Sequence, residues 1–511
     1  MAIFMTTILT ESNMFLTILA LFLIYLWFRR KFSYWSRRGV IGPEPVFPFG
    51  NIKEVIRRKT QFFQPYCDNY FKYKHLPYIG MYSFYRPVLC INDLEIAKLL
   101  LIKDFDNFQS HGIFSGGDGD PLAGHLFNLS GSAWKNLRLK MSPTFTIGKL
   151  KSMYPLVEKV ANSAVKYLEE KSSAGASINY SEFAEKYTME IIGSVGFGVE
   201  CNGFNNPNSD FYKNGHAYFE PKSWYWTLTR ALAFFVPDLF NISKMKRIDP
   251  DIINFFYSLV KETVEYRENH CYKRNDFLQT LIELKNGKVE DETVETKQRF
   301  TFTMRDVAAN TMLYMFAGYE TSATTGQLAV YEMARHPELQ QRARDEVNKV
   351  LAKYGGQCCY EAQNEMIYLN MVLDETMRKY PPMRSLFREC TKGYELSDGL
   401  VIEKGTLVLI PVQAIQMDPD LYPDPERFDP ERFSPEKKAK LHPCQWMPFG
   451  EGPRKCIGLR QGYIQSKMAL VKLLPKYQFI LDPRTPVPGR FSPSSMTCAM
   501  EGGIWIKLQR L

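Results

Sequence analysis

No two of the ten cysteines in this 511-residue sequence stand in C-x-x-C spacing, which argues against a zinc ribbon or a thioredoxin-like redox motif. No G-x-G-x-x-G opens a plausible βαβ unit and there is no P-loop, so the chain carries no recognisable dinucleotide or nucleotide-phosphate site. Internal repeats and low-complexity tracts are absent as well. Charge is nearly balanced, with 64 basic residues against 55 acidic ones for a net of +9. That surplus suits an enzyme with a basic docking face and does not single out nucleic acid as a partner.

One long apolar run is present. "MFLTILALFLIYLWF", Met14 to Phe28, is followed at once by Arg29, Arg30, Lys31, Arg37 and Arg38. Its length corresponds to about 22 Å of helix, short of a bilayer core, so Ile8 and Leu9 are expected to extend it despite Glu11. A cleaved signal peptide would carry its charges ahead of the run and a small-residue site behind it, and neither occurs. The segment therefore reads as a retained anchor with the body on the cytosolic side. Three N-x-[ST] sequons, at Asn128, Asn179 and Asn241, would matter only for a lumenal body.

Pro43, Pro45 and Pro48 then interrupt any helix and favour an extended connector. The expected organisation is an anchor over 1–30, a basic and Pro-rich linker over 31–50 and one domain over 51–511. Helical periodicity is strongest from Met304 to Val347, with Thr303 and Asp306 spaced as a capping box and a stop or kink at His336-Pro337. A second helix is expected from Met366 to Tyr380, and "GTLVLIPV" and "GGIWIKLQ" alternate like strands. The fold class is mainly α with small β-sheets.

A lone cysteine is ordinarily a small buried hydrophobe. Cys456 sits instead in "PFGEGPRKCIGLRQG", where Gly450, Gly452 and Gly458 permit close approach or positive φ and a helix begins just beyond. Backbone N–H groups at a helix start favour a thiolate, which serves a nucleophile or a metal ligand. A nucleophile needs a base, and the nearest histidine, His442, has no evident relation to Cys456. One thiolate beside Arg454 is a poor cage for zinc but suits haem, whose porphyrin brings four nitrogens and two propionates.

Phe449-Gly450-x-Gly452-x-Arg454-x-Cys456-x-Gly458 resembles the haem-binding signature of the haem-thiolate monooxygenases, the cytochromes P-450. The resemblance implies haem b with Cys456 as axial ligand, Arg454 as a propionate partner and Phe449 beside the sulfur. "AGYETS" lies where glycine and threonine are weak helix formers; on its residues alone Thr321 could simply bond back to the i−4 carbonyl. The family resemblance makes it the oxygen-activating kink, with Ala317 and Gly318 leaving room for dioxygen and Glu320 and Thr321 acting as the acid–alcohol pair. "DETMRKYPP" places Glu375 and Arg378 on one helix face, a pair of small worth when exposed; with Arg432 of "FDPERF" it resembles the family's buried Glu-Arg-Arg network. Trp134 and Arg138 read by spacing alone as a surface pair, and by resemblance as propionate donors, joined by Arg388. Gln461 after Arg460 departs from the family's usual pattern, putting helix packing or partner contact there in doubt.

The resemblance implies an endoplasmic-reticulum (microsomal) enzyme that oxidises lipophilic small molecules with dioxygen. Electrons would come from an NADPH-dependent flavoprotein reductase docking near Lys135, Lys140 and Lys455, with cytochrome b5 as a further partner. Within the family the chain most resembles the insect branch linked to detoxification of plant compounds and insecticides, with hormone metabolism the other substrate class. Cavity candidates, by resemblance, are Phe105 to Phe127, Ala309, Leu313, Met383 to Phe387 and Ser494 to Met496. The aromatic segment Tyr218 to Phe240 reads either as a core helix pair or as a channel mouth dipping into membrane lipid. Alternatives are a haem-thiolate isomerase or dehydratase and a non-catalytic haem sensor or carrier.

Overall fold

The apolar run near the amino terminus is helical throughout. In the computed structural model, which describes residues 2–112, 122, 124–172, 175–206, 208–220, 223–238, 240, 245–287 and 301–511, the first helix, α1, covers Ala2–Phe32. Its apolar side chains from Met14 to Trp27 are exposed, Phe22 at 54% and Leu23 at 56%. Among the described residues no helix is long and apolar enough to cross a membrane. The spanning anchor expected over 1–30 is therefore not found as a span, because Met14 to Phe28 amounts to about 22 Å of helix against a hydrocarbon core of about 30 Å.

Where α1 ends, the chain locks onto the body. Phe28 meets Phe47 at 5.0 Å and Phe32 meets Tyr82 at 5.3 Å between ring centroids. Trp35 is buried and its indole N–H donates to the Met81 carbonyl at 2.9 Å. Residue 80 must be glycine there, since a Cβ would lie 2.3 Å from the Trp35 ring. The stretch expected as a linker over 31–50 thus packs against the hairpin β1 (Tyr78–Ser83) and β2 (Arg86–Ile91).

The body is mostly helical. Helices α2 (Gly131–Met141), α3 (Ile147–Ser172), α4 (Tyr180–Ile191), α5 (Asp210–Phe219) and α6 (Trp224–Phe235) precede the longest of the body, α7 (Met304–Arg335). Thr303 and Asp306 form a reciprocal capping box at its start, and His336 ends it before α8 (Pro337–Lys353), since the residue before proline disfavours the helical region. Helix α9 (Ile367–Lys379) and helix α10 (Leu459–Leu473) complete the set used below. α4, α9 and α10 all pack on α7.

Three small sheets flank this bundle. Strands β4 (Leu386–Glu389) and β7 (Leu407–Ile410) join β1 and β2 in the order β1-β2-β7-β4; β2 and β7 run parallel, Leu89 opposite Val408, and β4 is antiparallel to β7, Arg388 opposite Val408. Strands β3 (Ile178–Asn179), β8 (Tyr477–Leu481) and β9 (Trp505–Arg510) form the second sheet, and β5 (Tyr394–Glu395) and β6 (Val401–Ile402) the third.

Two of the sequons are engaged in the fold. Asn128 is buried, and Asn179 caps α4 by accepting from the N–H groups of Ser181 and Glu182 at 3.1 and 3.3 Å. Asn241 and residues 113–121 and 123 of the first cavity segment lie outside the described residues.

Candidate active site

The Cys456 loop is held by its own backbone. The Cys456 N–H donates to the Phe449 carbonyl at 2.9 Å, and the Gly450 N–H to Met447 at 3.0 Å. At Gly452, φ is +76° and a Cβ would lie 1.9 Å from the Leu101 carbonyl oxygen, so the loop presses backbone to backbone on the preceding layer. Phe449 packs on Tyr463 at 5.5 Å. Burial pushes the Cys456 thiol up, against weaker opposing pulls from the Gly458 N–H and Arg138. Desolvation of the anion acts against the backbone donors in the absence of a bound metal. The side chain is nevertheless accessible to water.

Three arginines converge near that loop. Arg454 donates from Nε to the Gln109 carbonyl at 2.9 Å, reaches the Leu126 and Leu129 carbonyls, and lies 4.4 Å over the Trp134 ring. Arg138 donates to the Lys455 carbonyl at 2.9 Å. Arg388, on β4, donates to its neighbour's carbonyl at 2.8 Å, while its buried Nε has no partner. Burial, then Arg388 and Arg138, hold Arg454 down at about 9, and burial holds Arg388 at about 10. Among the described residues none of the three is paired with a carboxylate. Trp134 is 5% exposed, so Trp134 and Arg138 face inward and are no surface pair.

Helix α7 runs unbroken through Ala317 to Ser322. Phe316 and Ala317 are exposed although Met315 and Tyr319 beside them are buried, so this part of the helix also borders open space. Thr321 Oγ1 donates to the Ala317 carbonyl at 2.5 Å. Glu320 accepts from Ser495 and Thr497 at 2.8 Å each. The acid and the alcohol therefore bond elsewhere and not to each other, as adjacent helix positions do not share a face.

Glu375 and Arg378 form a bidentate pair at 2.7 and 2.9 Å with neither side chain exposed. Arg432 Nε stands 3.6 Å from Glu375, whose other donor is the Asp429 N–H at 2.8 Å. The structure brings all three together between α9 and the 430–433 turn.

Residues 41–505 match the family described as Cytochrome P450. The chain belongs to this family. Among curated relatives, cytochrome P450 6a2 of Drosophila melanogaster is 38% identical over 95% of this chain and 96% of its own length. Cytochrome P450 6k1 of Blattella germanica is 38% identical over 96% and 95%, and cytochrome P450 6A1 of Musca domestica 36% identical over 94% and 95%.

P450s bind haem b through a cysteine thiolate, and the donor set here fits that group. Among the described residues no three His, Cys, Asp or Glu side chains converge on a metal position, so a metal at Cys456 must bring its other ligands with it. Two propionates are the missing counter-charges of Arg138, Arg388 and Arg454, and the orphaned Arg388 Nε is a donor without an acceptor.

His111 and Ser495 lie in the cavity segments expected by resemblance, Phe105 to Phe127 and Ser494 to Met496, whereas Thr497 carried no sequence signal. His111 stacks on Phe127 at 4.3 Å, bonds its carbonyl at 2.9 Å, and is held well below the usual imidazole range by burial and by Arg388 and Arg454. Ser495 and Thr497 bind Glu320 from a loop that only tertiary structure brings near. Gln461 is 5% exposed with its amide nitrogen unpartnered, so the departure from the family pattern bears on helix packing and not on a surface partner. Lys455, expected at a reductase face, pairs with Glu451 at 2.8 Å.

Proposed function

We propose that this P450 is a membrane-associated monooxygenase, placing one oxygen atom of dioxygen in a lipophilic small molecule with electrons from NADPH through a flavoprotein reductase. The observation that carries the reading is the set of three arginines, Arg388 buried and Arg138 and Arg454 half-buried, without a carboxylate beside an accessible Cys456. Haem, when bound, supplies an iron that activates dioxygen, made electron-rich by the thiolate.

The chain's own residues do the rest. Cys456 would ligate the metal, and Arg138, Arg388, Arg454 and the Trp134 indole would hold the propionates. Phe449 covers one side of the loop. Gly318 leaves space, since a Cβ there would meet only Ile192 at 3.8 Å. Thr321 and Glu320 would hold and pass protons once Thr321 exchanges its bond to Ala317 for one to a bound ligand. Glu375, Arg378 and Arg432 would fix the cradle beneath.

Exposed Trp224 at 76% and Leu228 at 42% on α6, with the exposed apolar length of α1, support membrane association and substrate entry from lipid. The similarity to insect relatives supports xenobiotic substrates, with an endoplasmic-reticulum location and a cytosolic body. Lys135 and Lys140 support a basic reductase face, with cytochrome b5 a second electron donor.

The deciding experiment is a carbon monoxide difference spectrum of the reduced, membrane-bound protein, with Cys456→Ser alongside. A thiolate-type band lost in the variant, together with NADPH- and reductase-dependent depletion of lipophilic probes, is expected. Reductant-independent rearrangement of organic peroxides instead would identify an isomerase or dehydratase.

A further inference from the structure

Where α4, α7 and α10 meet, the packing leaves a cavity with about 10 Å³ for the centre of a water molecule. Tyr180 and Thr188 of α4, Ser322 and Gly326 of α7 and Ser466 of α10 are among the residues that line it, and all of them but Gly326 are buried. Ser322 donates to Gln465 Oε1 at 3.0 Å and Thr188 to the Ala184 carbonyl at 3.1 Å. Tyr180, 2% exposed, and Ser466, 6% exposed, are different: among the described residues their hydroxyls make no hydrogen bond. Burial raises the Tyr180 hydroxyl, and no donor opposes the shift. A buried hydroxyl left without a partner is destabilising, and native folds satisfy nearly all of them with protein or with water.

Gly326 points the same way. It stands inside α7, where alanine is the better helix former, and its φ is not positive. A Cβ built on it has no neighbouring atom within 4 Å. Neither backbone conformation nor a close approach therefore calls for glycine at this position. What the missing side chain does is leave room in the cavity that a methyl group would fill.

We propose that this cavity is a binding site for one water molecule, held by the hydroxyls of Tyr180 and Ser466 and kept open by Gly326. An internal water needs such a volume and about two to four polar partners. The site extends a seam that already joins the three helices: the Tyr187 hydroxyl of α4 donates to the Gln465 carbonyl of α10 at 3.2 Å, and Ser322 of α7 bonds the Gln465 side chain. The water adds a second join between α4 and α10, against the helix that carries Thr321 and beside the one that begins just after the Cys456 loop. It takes no part in oxygen chemistry, so the site stands or falls separately from the monooxygenase reading.

The test uses the haem-loaded full chain. Gly326→Ala fills the room with a methyl group, expels the water and strands both hydroxyls, so the thermal midpoint should fall by a few degrees although alanine favours the helix. In a Tyr180→Phe background one of the two hydroxyls is already gone, and the same methyl should lower the midpoint less or raise it. Ser466→Ala provides the same comparison should Tyr180→Phe fail to fold. Oxygen-17 relaxation dispersion should count one fewer long-lived internal water in Gly326→Ala than in the wild type. A high-resolution crystal structure of the wild type should show one density peak within hydrogen-bond distance of both hydroxyls. A midpoint that Gly326→Ala changes by the same amount with and without the hydroxyl, an unchanged water count, or a crystal structure lacking that peak overturns the site.

Discussion

Two groups of wholly or partly buried arginines lie in this molecule and differ in one respect. Arg378 and Arg432 stand against the carboxylate of Glu375, and several of their N–H groups reach the carbonyls of Gln416, Pro425, Pro423 and Asp424 at 2.6–2.9 Å, although the buried Arg432 Nε has no hydrogen-bond partner. Arg138, Arg388 and Arg454 meet carbonyls but, among the described residues, no carboxylate, and the Arg388 Nε meets nothing. The first group is closed in that it holds a carboxylate of its own, Glu375, and it belongs to the architecture. The second is open and becomes complete only when an anion arrives. An unpaired charge away from water is costly, and three cations kept together without a carboxylate suit an anion.

The sharpest way to break the comparison is Glu375→Ala. It converts the closed group into an open one with no ligand to close it, leaving Arg378 unpaired at 0% exposure; a loss of about 3–5 kcal/mol is expected. Haem content and chemical denaturation should both collapse, whereas a stable, fully loaded variant would show that the pair is dispensable.

The open group should respond in the opposite sense. Arg388→Met removes a cation that disfavours its neighbour Arg454, so the haem-free protein should be as stable as the wild type or more so. Haem affinity should fall about tenfold or more, since a charge-assisted hydrogen bond contributes roughly 1.5–3 kcal/mol. Denaturation of the apo form and haem titration separate the two effects.

The same group predicts a pH limb. His111 is held neutral in the fold, below its unfolded value of about 6.5, so its contribution is present above that pH and is lost as pH falls below it. The haem-free protein should lose up to about 1.4 kcal/mol per pH unit below 6.5 from this residue. In the loaded protein the propionates offset Arg388 and Arg454, and the loss should be smaller; equal slopes in the two forms would separate His111 from the anion site.

Gly318→Ala is the mildest change. The added methyl meets only Ile192 at 3.8 Å and alanine favours a helix by about 1 kcal/mol, so thermal stability should hold or rise slightly. Oxygen-dependent turnover should drop, because the space is reserved for a ligand and not for packing.

Much of this was legible along the chain. The capping box at Thr303 and Asp306 and the stop at His336 appear where spacing and proline chemistry put them, because both act within one helical turn. The loop from Phe449 to Gly458 is equally local. Trp134 and Arg138 were not legible from spacing, since an i, i+4 pair looks the same on a buried face as on a wet one. The partners of Glu320 lie 175 and 177 residues away, and no periodicity points to them.

By itself the sequence determined the helical framework, the glycine-shaped thiol loop and the family, since propensity, capping and close backbone approach are properties of a few neighbouring residues. The tertiary structure alone decided which charges find partners and which wait for one. Coulomb interactions and desolvation depend on what stands within a few ångströms in space, and the chain brings those neighbours together from hundreds of residues apart.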